Sequence, residues 1–539
     1  MSDKKVNFII GIHCHQPVGN FGWVISEAYE KAYLPFIEVL RRHPRIKINL
    51  HLSGGLLEWI GKNKPEYFDY LRELIDKRQV ELLGGGFYEP VLTLIPEKDR
   101  FLQLALLKDF IKKYFKYEVK GAWLAERVWE PHLVNTFNRA GIRYTIVDDT
   151  HFRLTGKNSG EIFGYYITEE DSEELFIFPT SQKLRYMIPF KLPQDTIEYL
   201  KSLLSQEDRA VVIADDGEKF GFWPGTYKWV YQEQYLENFF SVLEENGPWL
   251  NIMTFSEFIE QFKPLGRIYL PCASYTEMIS WSQGYFKNFL VKYPESNILH
   301  KKMLYVSNKL NSLKGKAGGD KNESLITARN LLYMGQCNDA YWHGVFGGFY
   351  LNHLRETAFR SLIESEKIVD SLSKKKKDWL DIEVFDFDKD GCDDIIVNTP
   401  LLNLYVSPNM GGEIFEIDFK PKSLNMLNAL ARRYELYHDK IKNSSPTDYL
   451  DKSSNSQGVL SIHDIVGFKE GNLETYLAYD RYRKIALIDH FFGEEATVRE
   501  FSKSKVLERG DFVEKPFTFE IKKSTKKVKE KTCTILLSR

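Results

Sequence analysis

Residues 7–16, NFIIGIHCHQ, run apolar from Phe8 to Ile12 and end in polar, chemically versatile side chains. A strand buried on both faces reads this way, and a helical stretch follows near Tyr29–Arg42. The pattern recurs. KINLHLSG (47–54) precedes a helix near Pro65–Lys77, VELLGGGFYEP (80–90) one near Lys98–Tyr117, and GAWLAERVWEP (121–131) a short one around Asn135–Ala140. YTIVDDTHF (144–152), LFIFPTS (175–181), AVVIADDGEKFG (210–221) and NIMTFSEF (251–258) continue it, with a helix at Trp229–Glu245 before the last. About seven or eight strands alternating with helices fit an α/β fold of the (β/α) barrel type, with an open doubly wound sheet as the alternative. No G-x-G-x-x-G follows the first strand, which speaks against the dinucleotide-binding form of that alternative.

Barrel active sites lie at the carboxyl ends of the strands. Those ends carry His13, His15, Glu89, Glu126, Asp148, Asp149, Asp215 and Asp216, so functional side chains collect where the fold would gather them. From about Val291 to Leu372 the pattern is helical, interrupted by a Gly/Lys loop at 314–321. A lysine-rich linker begins at Ser373, and beyond it alternating segments such as IEVFDFDKDGCDDIIV mark a β domain. The expected organisation is a barrel over 1–290, a helical domain over 291–372, a linker over 373–380 and a β domain over 381–539.

Composition sets the outer limits. The 539 residues are 43% hydrophobic and 27% charged, and no apolar run approaches the ~18 residues of a membrane helix. A net charge of −2 gives neither nucleic acid nor a membrane surface its electrostatic attraction. Five scattered cysteines without a CxxC suit a reduced, cytoplasmic setting, and the apolar start, interrupted by His13, reads as a strand rather than a secretion signal. The 14% aromatic share suits flat, amphipathic ligands such as sugar rings as well as a core.

Within WLAERVWEP (123–131), the expectation is an Arg127–Glu130 pair bracing the rim, with Glu126 facing the cleft. ADDGEKFGFW holds Asp215, Asp216, Glu218 and Lys219, with Trp223 just behind. Two carboxyl groups on separate strands, one attacking the anomeric carbon and one protonating the leaving oxygen, are what glycosidic cleavage requires. Asp216, in the more crowded neighbourhood, would keep its proton longer. HCHQP places His13 and His15 two apart on one side of a strand: either metal ligands, with Asp149, His151 or Glu81 as the third, or donors to sugar hydroxyls. The segments 269–281 and 338–354 set Glu277, Asp339, Trp342 and His343 among aromatics and read as sugar-binding surface. In DFDKDGCDD, Asp386, Asp388, Asp390 and Asp394 are candidate ligands for a structural calcium ion, although the closing Glu of an EF-hand is absent at Val397.

HCHQP, GGGFYEP, WLAERVWEP, ADDGEKFG and YLPCASYTEM resemble the five ordered sequence regions of glycoside hydrolase family 57, nearest to its 4-α-glucanotransferase and α-amylase subgroup. The resemblance implies a (β/α)7 barrel, a helical domain at its mouth, a β-sandwich, and a retaining double displacement on α-1,4-glucans or maltooligosaccharides without a catalytic metal. It implies Glu126 as nucleophile and Asp216 as acid/base. His13, His15, Glu81, Trp123, Asp149, Trp223 and Trp342 match donor-site positions, and Arg127, Glu277, Asp339 and His343 join the expected binding set. Two departures stand out: a short segment after Trp281, and a chain end inside what should be a larger sandwich, so that a truncated β domain with unpaired edges is expected. The rivals are a metal-dependent carbohydrate deacetylase using His13, His15 and Asp149, and an inactive glucan-binding protein. The oligomeric state stays open, a homodimer included.

Overall fold

All nine residues of β1 (Val6–Cys14) are buried, as an uninterrupted aliphatic strand requires. In the computed structural model, which describes residues 5–204, 209–313, 323–344, 347–374, 378–443, 473–523 and 532–539, the chain forms two compact units. Among these residues the first unit holds 5–288 and Gln336–Asn338, the second Phe289–Gly335 and the chain from Asp339 onward.

In the first unit β1 is followed by β2 (Ile48–Leu52), β3 (Val80–Leu83), β4 (Gly121–Ala122), β5 (Tyr144–Asp148), β6 (Tyr166–Glu170), β7 (Glu173–Thr180), β8 (Arg209–Asp216) and β9 (Leu250–Met253). One sheet runs β3-β2-β1-β8 and another β4-β5-β7-β6. They join at both ends. Gly84, just past β3, bridges Ala122 of β4 in parallel. At the other junction the Thr180 hydroxyl accepts from the Ala214 N–H at 2.8 Å, and the Ser181 N–H donates to the Val212 carbonyl at 2.8 Å. Parallel β1, β2, β3, β4, β5, β7 and β8 thus close a seven-stranded ring, the (β/α)7 barrel. β6 pairs antiparallel on β7, and β9 takes the first half of β1, where the β2 pairing has not begun.

Side chains two apart on a strand share a face. Ile9, Leu83, Tyr144, Ile146, Phe178, Val212 and Ala214 pack together inside the ring with Trp123. The same alternation carried toward the carboxyl ends puts His13, Asp148, Thr180 and Asp216 on that inward face. The helices start and stop near the expected places: Glu66–Asp76, Glu97–Phe115 and Leu133–Arg139. The first begins earlier than expected, because Gly22–Ala28 runs through a π-turn at Tyr29–Tyr33 into Leu34–Arg42. The segment 251–258, read as a strand, is one only to Met253. Thr254 and Glu257 form a capping box that starts the helix Phe255–Gln261.

The second unit holds a five-stranded antiparallel meander: β10 (Asp381–Phe385), β11 (Asp394–Asn398), β12 (Leu402–Ser407), β13 (Glu413–Phe419) and β14 (Leu424–Asn425). One face, with Ile396, Tyr405 and Phe415, packs on Ile298 and Tyr305 of the helix Pro294–Ser312. The other, with Ile395, Val397 and Val406, packs on Ile521, Ile535 and Leu537 of the hairpin β15 (Thr518–Lys523) and β16 (Cys533–Ser538). The helix Pro294–Ser312 and the meander therefore share a core. Lys302 is fully enclosed at this junction, ion-paired to Glu366 at 3.2 Å, Glu416 at 3.1 Å and Asp418, so that its charge is neutralised where water cannot reach it. The Gly/Lys loop at 314–321, the lysines at 375–377 and the basic tail segment 524–531 lie outside the described residues.

Candidate active site

β4 is only two residues long, and the chain leaves it in a tight turn, Ala125–Arg127. Glu126 and Arg127 both adopt positive φ, 52° and 49°, which costs a non-glycine residue about 1–3 kcal/mol unless its surroundings dictate the conformation. Here they do. Ser274 Oγ donates to the Glu126 carbonyl at 2.6 Å, Tyr275 OH donates to Glu126 Oε2 at 2.8 Å, and Trp129 pairs with Ala273. The Arg127 guanidinium lies over the rings of Tyr275 (4.7 Å) and Trp123 (5.7 Å). It donates to the Ala214 carbonyl and stands 3.7 Å from Asp215. The expected Arg127–Glu130 brace is therefore corrected: Arg127 serves the end of β8, while Glu130 binds Tyr285 at 2.8 Å and Lys287 at 3.0 Å.

The two aspartates ending β8 meet different environments. Burial pushes Asp215 up, but Lys219 at 2.6 Å, Arg185 and Arg127 hold it well below the usual carboxylate range. Asp216 stands in register beside His13 of β1. Burial, then the negative charge of Asp215, raise it to about 6. Glu218 follows on the turn, raised to about 7 by burial and by Asp216, and accepts from Tyr33 OH at 2.5 Å and the His15 N–H at 3.0 Å. Between them Gly217 passes so close to β1 that a Cβ would meet Cys14 Sγ at 2.6 Å. Burial and the Glu126 carboxylate push the Tyr275 phenol well above its ordinary value, with Asp216 adding to the effect.

His13 stacks on Trp123, with centroids 4.4 Å apart and planes within 5°. Its Nδ1 is 2.8 Å from His51 Nδ1, and the Nε2 atoms of both rings lie 3.8 Å from Glu89. Burial first, then His51 and the neighbouring cations, hold His13 far below its ordinary value, and burial takes His51 to about 3. Two neutral imidazoles sharing one Nδ1–H···Nδ1 bond leave a proton on one Nε2. His13, His51 and Glu89 bring potential ligand atoms within 4.8 Å of one another. The deacetylase set of His13, His15 and Asp149 does not gather in this way. His15 binds Ser53 Oγ at 3.0 Å, and Asp149 pairs outside the ring with Arg153 at 2.6 Å, on the wall of a separate cavity of about 380 Å³.

Asp149 is thus corrected to Asp148, which faces inward toward Arg185 at 3.6 Å. Arg185 also reaches Glu277 at 3.5 Å, so Glu277 belongs to the rim. Trp223 stacks against Phe190 at 6.2 Å beside Lys219. Glu81 is a third correction: it accepts from Tyr144 OH and Ser256 Oγ at 2.5 Å each, beside Asn49 in register, toward the amino ends of the strands. Asp339, Trp342 and His343 belong to the second unit. There Trp342 lies 6.2 Å from Phe289, and His343 bonds Tyr293 at 2.9 Å near Glu435. Asp386, Asp388 and Asp394 bring carboxylate oxygens within 4.8 Å of one another. Asp390 turns instead to accept from the Cys392 N–H at 2.8 Å. The three-carboxylate set fits a calcium ion that completes its shell with carbonyls or water. Sequence reasoning missed His51, Tyr275 and Arg185 as members of the rim.

A closed ring of parallel strands that presents acids, imidazoles and indole rings together at its carboxyl ends is built as a carbohydrate-active barrel enzyme. The sequence matches glycosyl hydrolase family 57 over residues 9–271. It also matches the middle and C-terminal domains of the α-amylase/4-α-glucanotransferase group over 284–369 and 386–535. A 4-α-glucanotransferase of Thermococcus litoralis and an α-amylase of Pyrococcus abyssi are each 42% identical, over 96% of this chain and 79% of the relative. The crystal structure of the Thermococcus litoralis 4-α-glucanotransferase superposes with a TM-score of 0.84 at 40% identity, covering 98% of this chain and 81% of that one. The chain belongs to glycosyl hydrolase family 57.

Proposed function

We propose that this protein is a retaining α-1,4-glucan enzyme, a 4-α-glucanotransferase that moves maltooligosaccharide segments between chains. Glu126 attacks the anomeric carbon of the donor sugar. The bond from that carbon to the bridging oxygen breaks, and Asp216 gives its proton to that oxygen as the leaving chain departs. The result is a glycosyl ester on Glu126 and an ionised Asp216. An incoming 4-hydroxyl then attacks the same carbon, passes its proton to Asp216, and releases Glu126 with the original anomeric configuration.

The observation that carries this reading is geometric: Tyr275 OH bonds Glu126, and its ring carries Arg127, which reaches the Ala214 carbonyl and Asp215 at the end of the strand that presents Asp216. The environments also split the two roles: Asp216 holds a proton to about pH 6, as an acid catalyst should. Arg127 acts one step removed, by pairing Asp215 and packing Tyr275. The His13–Trp123 stack offers the donor sugar an apolar wall with a polar edge. The second reading, an α-amylase, differs only in using water as the acceptor, and the relatives' names include both activities. Asp386, Asp388 and Asp394 are the candidate structural calcium site, apart from the reaction.

Incubation with maltotriose separates the cases. Longer and shorter oligosaccharides together mean transfer, shorter ones alone mean hydrolysis, and unchanged maltotriose means a binding protein. Glu126→Ala should abolish turnover, with azide restoring part of it as a glycosyl azide. Near-normal turnover by Glu126→Ala removes the assignment.

A further inference from the structure

Phe21 and Trp23 follow the end of β1 by seven and nine residues, on the segment that leads from the barrel rim into the helix Gly22–Ala28. They are among the most exposed large aromatics of the first unit, at 49% and 67%. Their rings are parallel within 9°, with centroids 6.3 Å apart. Single exposed aromatics are ordinary. Two parallel rings on a fixed support are a surface with a shape.

The support is fixed to the catalytic loop by two routes. Asn20 Nδ2 donates to Gln16 Oε1 at 3.0 Å, Gln16 Nε2 to Tyr33 OH at 2.8 Å, and Tyr33 OH to Glu218 at 2.5 Å, two residues past Asp216. Gly221, at φ 129°, runs so close to the same helical stretch that a Cβ would sit 2.0 Å from the Lys31 carbonyl. The ring pair is therefore held to the turn that carries Asp216, and this continuity argues for a ligand shared with the catalytic cleft. Charge points to a neutral one. Lys31 of this stretch is paired to Glu27 at 2.5 Å, and Lys64 beside it stands 3.9 Å from Glu30, so both neighbouring cations have acidic partners. The Trp23 ring, 67% exposed, presents a flat apolar face that suits the C–H face of a pyranose, whose hydroxyl edge stays hydrated.

We propose that Phe21 and Trp23 form a stacking platform for an α-1,4-glucan chain extending out of the catalytic cleft, a subsite engaged only by substrates long enough to reach it. This rests on the glucan-acting reading above. The platform gives uniform binding, equal in ground and transition states, so it lowers KM for long substrates and leaves kcat unchanged.

The test compares wild type, Trp23→Ala, Phe21→Ala and Trp23→Phe on maltotriose and maltoheptaose. Trp23→Ala should raise KM for maltoheptaose about five- to tenfold, with kcat and the maltotriose KM within about twofold. Phe21→Ala should act in the same direction, and Trp23→Phe should recover most of the loss. The same length dependence in wild type and both alanine variants overturns the proposal. Retardation in a native gel containing glycogen needs no turnover: the alanine variants should run faster than wild type, and equal retardation overturns the platform. Inactive wild type with Trp23-dependent retardation would remove the catalytic reading and keep the platform. A Trp23→Ala change in sedimentation from dimer to monomer, with retardation unchanged, would make the patch a self-interface and end the proposal.

Discussion

Replacing Tyr275 with phenylalanine deletes one hydroxyl and leaves the ring in place. The ring is buried and carries Arg127 and Arg185 at 4.7 and 5.5 Å, contacts that phenylalanine keeps. Ser274 still holds the Glu126 carbonyl. What is lost is a 2.8 Å hydrogen bond to the Glu126 carboxylate. A bond to a charged acceptor contributes about 1.5–3 kcal/mol, and without it Glu126 is less firmly aimed. If the bond persists through attack on the anomeric carbon, kcat/KM falls by about 10- to 150-fold. The assay is the initial rate on an aryl maltooligosaccharide whose leaving group needs no proton, which isolates the Glu126 step from the Asp216 step. The melting midpoint should move little, since the packing is retained. A loss of less than about twofold in kcat/KM would mean that Tyr275 does not position the nucleophile, and would remove the observation on which the two-carboxylate reading stands.

Asp215→Asn removes the charge that raises Asp216 and releases Lys219 and Arg127, which lower it. The basic limb of kcat/KM, which requires protonated Asp216, should move down by about one pH unit; an unmoved limb would detach Asp215 from the acid. Glu81→Ala strands the buried Tyr144 hydroxyl and frees the start of the helix at Ser256, so it should cost about 3 kcal/mol of stability in urea unfolding with KM unchanged; the reverse would return Glu81 to the binding site. Asp216 and Glu218 have folded values raised to about 6 and 7. They therefore favour folding fully below the unfolded carboxylate value, and that stability is lost as pH rises from about 4 to 7. Glu218→Gln should flatten this decline in urea titrations, and an unchanged slope would contradict the assignment. Calcium should raise the melting midpoint of wild type and not that of Asp388→Asn; equal shifts would dismiss the site.

The barrel was legible because its strands are short aliphatic runs with reactive ends: β1 is buried along its whole length, and His13 and Asp216 fall where the pattern puts them. The misreadings have physical causes. TFSE looks like the end of a strand, yet Thr254 with Glu257 is a helix-starting box. Asp148 and Asp149 are equivalent in sequence. Only the inward placement of Tyr144 and Ile146 makes Asp148 the inward member, and that face is set by the ring as a whole. Arg127 pairs with Asp215, 88 positions away, and no local pattern encodes such a choice over nearby Glu130. Glu81 was expected at the donor site or as a metal ligand. Its partners are instead Tyr144 and Ser256, residues from two other elements.

Covalent trapping tests the central claim most directly. A fluorinated maltosyl donor that forms the glycosyl ester quickly and loses it slowly, followed by peptide mass mapping, should place one maltosyl group on Glu126 within WLAERVWEP. An adduct on Asp216 or elsewhere, or steady turnover with inversion at the anomeric carbon, would contradict the account.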